Sequence, residues 1–372
     1  MEPTRRQVLK AMGAFAVTSG GVPLYSEAFG NVGGIASPAP ARASVALKDI
    51  AAQKGILYGS ALSWMRVQQD SGYANLIVQQ DKIVTPETEL KWKALLPKPD
   101  KFNFDTADQL VRWAQSQDLL IHGTALVWHE ALPAWFDGYA NKGNAKDLLV
   151  NYIRTVLKRY RGKIHSWDVV NEGLTERGLR DTPWHRLLGD SYMEIAFRAA
   201  EEADPSAIRV YNDMNIEGDN NDSKRDQVVR LLDKLVSNKI PVQAFGIQGH
   251  LRYDMGPFNA GKYRKFLSRI ADLGLQIFVT ELDCRDRDSD VSVDQRDRSV
   301  AKYYEDYLTT VLDQKAVKVV ITWGLTDKYT WLSTQAPRRD SEPVRPLLFD
   351  QDLNPKPAFE AVKRAFENAP LR

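Results

Sequence analysis

One cysteine in 372 residues, Cys284, has no partner for an intrachain disulfide. With only five histidines beside it, a structural zinc site is not expected either. No apolar run is long enough to cross a bilayer: the best stretch, Ala11 to Leu24, is short and rich in Gly and Ser. Neither sign of charge dominates, since 50 Lys and Arg against 48 Asp and Glu leave +2. That balance gives no electrostatic footprint for nucleic acid or an anionic membrane, so neither is expected as a partner. A Gly-rich phosphate turn is missing after the first strand-like run, Ile56–Ser60, which counts against an open doubly wound sheet. No Ser/Pro linker marks off a second module. The chain reads as one large domain that uses no metal and no cofactor, and a monomer is expected.

What is present starts with the first 43 residues. Thr4-Arg-Arg-Gln-Val-Leu-Lys10 resembles a twin-arginine export signal, and Ala41-Arg-Ala43 is an A-x-A-like cleavage site. The expected layout is a signal over 1–43 and a catalytic domain over 44–372, with a periplasmic or extracellular address. Nine tryptophans are a further excess, suited to stacking on sugar rings as well as to a core.

From Ile56 onward, short β-like runs alternate with amphipathic helical ones. The strand candidates are Ile56–Ala61, Lys82–Pro86, Leu119–Val127, Ile164–Asn171, Ile208–Asp213, Val242–Gly249, Gln276–Glu281 and Val317–Trp323. Helical periodicity is clear at Leu149, Tyr152, Ile153, Val156 and Tyr160, and again at Val228, Leu231, Leu232 and Leu235. Alternation of this kind implies an α/β chain with a parallel sheet and right-handed crossovers. Polar residues fall at or just past the end of nearly every strand: Glu87, His129, Glu172, Asn212-Asp213, Gln248–His250, Glu281–Asp283 and Trp323. A closed barrel gathers all those ends on one rim, whereas an open sheet spreads them along a line. A single (β/α)8 TIM barrel is therefore expected.

Two strands run straight from apolar residues into a carboxylate. Trp167-Asp-Val-Val-Asn-Glu172 ends the fourth and Ile277-Phe-Val-Thr-Glu-Leu-Asp283 the seventh. Two carboxyl groups converging on a barrel mouth suit glycosidic bond cleavage, in which one donates a proton while the other stays ionised. In retaining enzymes they stand about 5–5.5 Å apart, close enough for direct attack on the anomeric carbon.

Those two stretches, with Gln248-Gly-His250, Trp323-Gly-Leu-Thr-Asp-Lys-Tyr-Thr-Trp331 and Pro346-Leu-Leu-Phe-Asp350, resemble glycoside hydrolase family ten, the endo-β-1,4-xylanase family. Thr85-Pro-Glu-Thr-Glu-Leu-Lys-Trp92, Leu126-Val-Trp-His129 and Tyr211-Asn-Asp213 extend the resemblance, in order, from about Gly55 to Ala365. It implies a retaining endo-xylanase with Glu172 as general acid/base and Glu281 as nucleophile. It further implies that His250 and Asp283 support the nucleophile and that Asn171 bonds the 2-hydroxyl of the reacting sugar. Glu87, Lys91, Trp128, His129, Gln248, Trp323 and Trp331 would contact the polysaccharide. Trp92, Trp135 and Trp167 read as core or outer support, Cys284 as a small buried filler, and His122, His165 and His185 as structural or surface residues.

Two positions depart from the family. Thr124 replaces a histidine that normally touches the reacting sugar, and Thr88 stands where an asparagine is usual. These keep open an alternative substrate, a substituted or bacterial β-glucan, cut by the same chemistry. The segment Ser333–Arg345 carries Arg338, Arg339 and Arg345. It reads as a solvated loop or, more sharply, as a clamp for a sugar carboxylate.

Overall fold

The β-branched runs of the chain pair side by side because each is apolar on both faces and must be covered on both. The computed structural model describes residues 45–372 except 254, 256–257 and 287–290, so the segment read as an export signal lies outside the described residues. The barrel strands are β1 Leu57–Leu62, β2 Ile83–Pro86, β3 Leu120–Gly123, β4 Ser166–Asn171, β5 Ile208–Asp213, β6 Ala244–Ile247, β7 Gln276–Arg285 and β8 Val317–Thr322. Neighbours in this series pair in parallel, and β8 returns to β1 through Leu57↔Val319 to Ser60↔Thr322. The ring is closed, a (β/α)8 barrel, as the polar strand ends implied.

Among the described residues, eight main helices cover its outside: α1 Ser71–Gln80, α2 Asp105–Ser116, α3 Ala145–Tyr160, α4 Ser191–Ala203, α5 Asp222–Ser237, α6 Ala260–Asp272, α7 Val293–Leu312 and α8 Pro357–Asn368. Their ends follow local chemistry. The Asp70 carboxylate caps α1 by accepting from the Tyr73 N–H at 3.0 Å. Ser292 and Gln295 form a reciprocal capping box on α7, and Pro357 opens α8. The apolar faces read from the sequence point inward: Leu149, Tyr152, Ile153, Val156 and Tyr160 of α3 are all buried. Each such side chain contributes about 1.5–3 kcal/mol when removed from water.

Inside the ring, Ile83, Val210, Ala244, Phe278, Val319 and Ile321 form a separate apolar layer. The C-terminal rim above it carries the strand-end polar residues. Two strands differ from expectation. β3 stops at Gly123, and Val127 touches β4 only through an isolated bridge to Val170. β7 continues past Glu281 to Arg285, because Asp283–Arg285 pair with a short extra strand, His250–Arg252. The fold therefore places Glu281 within a strand, held from both sides.

Candidate active site

Glu172 follows the last residue of β4 and adopts a left-handed backbone, φ 56°. For a residue with a side chain that conformation costs about 1–2 kcal/mol. The neighbours enforce it: the Glu172 N–H donates to the Asn212 carbonyl at 2.9 Å, and Arg180 Nε donates to the Glu172 carbonyl at 2.8 Å. Strain held in place this way is typical of functional positions. The Glu172 side chain is 4% exposed, and its Oε1 accepts from Gln248 Nε2 at 3.1 Å. The same nitrogen lies 3.3 Å from Asn171 Oδ1.

Glu281 has a donor on each oxygen. Asn212 Nδ2 stands 2.9 Å from Oε1 and His250 Nε2 stands 3.2 Å from Oε2. Both donors suit an ionised carboxylate, which can only accept. His250 is oriented in turn by Asp283, with Nδ1 2.9 Å from Oδ1, and Asp283 Oδ2 accepts from Trp331 Nε1 at 2.7 Å. Burial alone would push the His250 imidazole down, but the Asp283 and Glu281 carboxylates outweigh it and hold it well above its ordinary value. Those carboxylates favour its protonated form. Gly249, at φ 78°, turns the chain so that His250 comes into register with Asp283.

The two carboxylates belong to one hydrogen-bonded set. Gln248 links Glu172 to Asn171, and Asn212 links Asn171 to Glu281, with Nδ2 3.0 Å from Asn171 Oδ1. Lys91 sits between two indoles, its ammonium 4.7 Å from the Trp128 ring and 5.7 Å from Trp323. Burial lowers the Lys91 pKa, opposed by Glu281, Glu87, Glu172 and Asp168. Desolvation raises the half-buried Glu87 to about 7 against the pull of Lys91. The buried Trp128 Nε1 has no hydrogen-bond partner among the described residues, a donor that a sugar hydroxyl would satisfy. His129 and Glu130 approach Glu172, their donor atoms all within 4.8 Å of one another. Among the described residues this is the one grouping with metal-ligand chemistry, and Glu130 is exposed.

Trp92 and Trp167 are core, as expected, and Cys284 is fully buried. His185 lies at the surface against Asp190, 3.2 Å away. Thr124 is buried and Thr88 exposed. Most of the arginine segment is exposed, Arg339 included, as expected of a solvated loop, but two of its arginines turn inward. Arg338 is 3% exposed and turned in on Asp286 and Asp340, while Arg345 pairs with Asp297 at 2.7 Å. Charges already paired with the protein's own carboxylates are not left to clamp a sugar acid.

The residue that sequence reasoning left without a role is Asn212. Its Oδ1 accepts from Thr280 Oγ1 at 2.7 Å, which fixes the amide with its NH2 toward Glu281. Gly246 makes room for it: a Cβ there would stand 2.4 Å from Asn212 Oδ1. A polar residue ending a strand was the available signal.

Residues 46–365 match the family described as Glycosyl hydrolase family 10. Endo-1,4-beta-xylanase B of Thermotoga neapolitana is 35% identical over 79% of this chain and 83% of its own length. The beta-1,4-xylanase of Dictyoglomus thermophilum is 35% identical over 82% of this chain and 87% of that one. Among solved structures, native xylanase 10B of Thermotoga maritima superposes with a TM-score of 0.80 at 35% identity, covering 87% of this chain and 98% of that one. Xylanase 10B of Thermotoga petrophila, solved with xylobiose, gives 0.80 at 34% identity, covering 87% and 98%.

Proposed function

This chain belongs to glycosyl hydrolase family 10, and from that premise we propose that it is a retaining endo-β-1,4-xylanase. The observation that carries the reading is the Glu281 carboxylate, with Asn212 on one oxygen and the His250 ring on the other. A carboxylate fixed by two donors is a nucleophile, poised to attack an anomeric carbon. Glu172, entering the reaction protonated, gives its proton to the leaving oxygen as Glu281 forms the glycosyl ester. Esterification removes the Glu281 charge, so Glu172 can next accept a proton from the attacking water. Hydrolysis of the ester returns both groups to their starting states with the anomeric configuration kept. Asn171, at the junction of the two halves, is placed to bond the 2-hydroxyl of the reacting sugar, a contact that strengthens as the ring flattens.

Lys91, Trp128 and Trp323 form the cation and aromatic surfaces against which a sugar ring packs, with Glu87, His129, Gln248 and Trp331 as further contacts. Internal β-1,4 bonds of xylan are the substrate by likeness to the named relatives. The twin-arginine-like segment supports export to the periplasm or the medium. The test is product analysis on xylan and mixed-linkage glucan, with proton NMR to read the anomer formed first. Short β-configured xylo-oligosaccharides from xylan support the reading, whereas glucan cleavage alone, or the α-anomer first, overturns it.

A further inference from the structure

The two carboxylates are held in different ways. Glu281 accepts from Asn212 on one oxygen and from His250 on the other. The Glu172 side chain accepts one hydrogen bond among the described residues, from Gln248 Nε2 at 3.1 Å. A proton donor cannot be gripped by several donors, because each of them favours its ionised form. Its aim has to come from the main chain.

That main chain is fixed on both sides of Glu172. The N–H donates to the Asn212 carbonyl at 2.9 Å. The Glu172 carbonyl accepts from Arg180 Nε at 2.8 Å and, among the described residues, from no other group. Arg180 comes within reach because Leu174–Thr175 pairs with Gly178–Leu179 in a short antiparallel hairpin that returns the chain toward Glu172. Its own N–H donates to the Gly173 carbonyl at 2.8 Å and its Nη2 to the Leu174 carbonyl at 3.2 Å. One residue thus takes three consecutive carbonyls. Arg338 and Arg345 pair with carboxylates, whereas the half-buried Arg180 donates to backbone carbonyls. Lys224 Nζ, from α5, also takes the Leu174 carbonyl, at 2.6 Å, so that carbonyl is held twice and the one at Glu172 once.

We propose that Arg180 is a positioning residue for the general acid: its guanidinium holds the Glu172 carbonyl, and with it the left-handed backbone that aims the carboxyl group at the leaving oxygen. The inference rests on the reading of Glu172 as acid/base. Without the guanidinium, the Glu172 carbonyl loses its partner, and the backbone at φ 56° relaxes and carries the side chain with it. Glu281, on β7 with its own donors, keeps its place.

The test uses the full-length enzyme and two aryl β-glycosides of one sugar, both turned over by the wild type. The leaving group of the dinitrophenyl glycoside departs without a proton, and that of the phenyl glycoside needs one. The rate compared is kcat/KM, normalised to folded protein. A misplacement of about 1 Å can cost about 100-fold. Arg180→Met should therefore lower the phenyl rate by about 10- to 100-fold and the dinitrophenyl rate by less than about threefold. An equal loss on both substrates would mark a general packing defect and overturn the proposal, as would no loss on either. Should Arg180→Met not fold, Arg180→Gln, too short to span both carbonyls, replaces it: a larger loss with phenyl supports the proposal, and equal losses or none overturn it. Glu172→Ala runs alongside and should show the same split more strongly. Its absence there would sink the reading of Glu172, whereas a split in Glu172→Ala with none in the Arg180 variant sinks this inference alone.

Discussion

One amide shares with His250 the holding of Glu281, the proposed nucleophile. Asn212 is fixed by Thr280 on its oxygen and spends its nitrogen on Glu281 and Asn171. A hydrogen bond to a charged group is worth about 1.5–3 kcal/mol, so Asn212→Ala should slow formation of the glycosyl-enzyme by about 10- to 100-fold. The burst phase with an aryl β-xylobioside measures that step directly, and an undiminished burst would remove Asn212 from the mechanism. Glu87 supplies a second case. Lifted to about 7, its carboxyl is neutral below neutral pH and ionised above it. A sugar lying over it strips more water and favours the neutral form further. KM for xylo-oligosaccharides should therefore rise between pH 6 and 8 in the wild type and stay flat in Glu87→Gln. A parallel rise in both proteins would assign the effect to another group. Glu172, Glu281, His250 and Asp283 were legible in the chain because each interrupts or follows an apolar strand at a place where a core has no use for it. Asn212 sits in an equally legible strand, but its role depends on which acceptors face it from β4 and β7, and no single strand carries that information. The clamp reading of the arginines failed for the same reason: Asp286 and Asp297, which occupy Arg338 and Arg345, lie far away in sequence.

Elements were easier to read than their ends. Strand β7 overran its expected stop because His250–Arg252 offered it a partner, and β3 fell short once its pairing with β4 gave out at Gly123↔Trp167. Element ends also hold the rim together. Asp70 caps α1, and its other oxygen takes Lys328 Nζ at 2.8 Å and Tyr329 Oη at 2.7 Å, fastening the segment after β8 to the start of α1. The Lys328 bond, then the cap itself, pull its carboxyl down to about 2. A group depressed on folding contributes stability that is complete above its ordinary value and fades as pH falls. Asp70→Asn should thus be less stable than wild type by about 1–2 kcal/mol at neutral pH. The gap should close as pH drops from about 4 toward 2. Denaturant melts at a series of pH values check this, and a gap independent of pH would show that the ion pair contributes nothing.

At the scale of the whole molecule, the closing seam joins the two ends of the catalytic chain. Leu57 of β1 pairs with Val319 of β8, and Arg372 returns to donate to the Lys54, Val317 and Leu312 carbonyls at 3.1, 2.8 and 3.0 Å. A ring whose first and last strands must meet cannot close until nearly all of it has been made, and such long-range pairing is slow. Threading an unfolded chain across a membrane would postpone that closure to the far side. A route that carries folded protein lets the barrel form before it leaves, which is what Arg5 and Arg6 suggest. Replacing both with lysine keeps the charge and removes the paired guanidinium groups. The expected result is an enzyme that folds normally and retains its activity in the cell lysate but is lost from the periplasm and medium, with the uncut chain accumulating inside. Mass spectrometry of the exported wild type should place its first residue just after Ala43. Export of the lysine variant at the wild-type level would assign these arginines to no transport role.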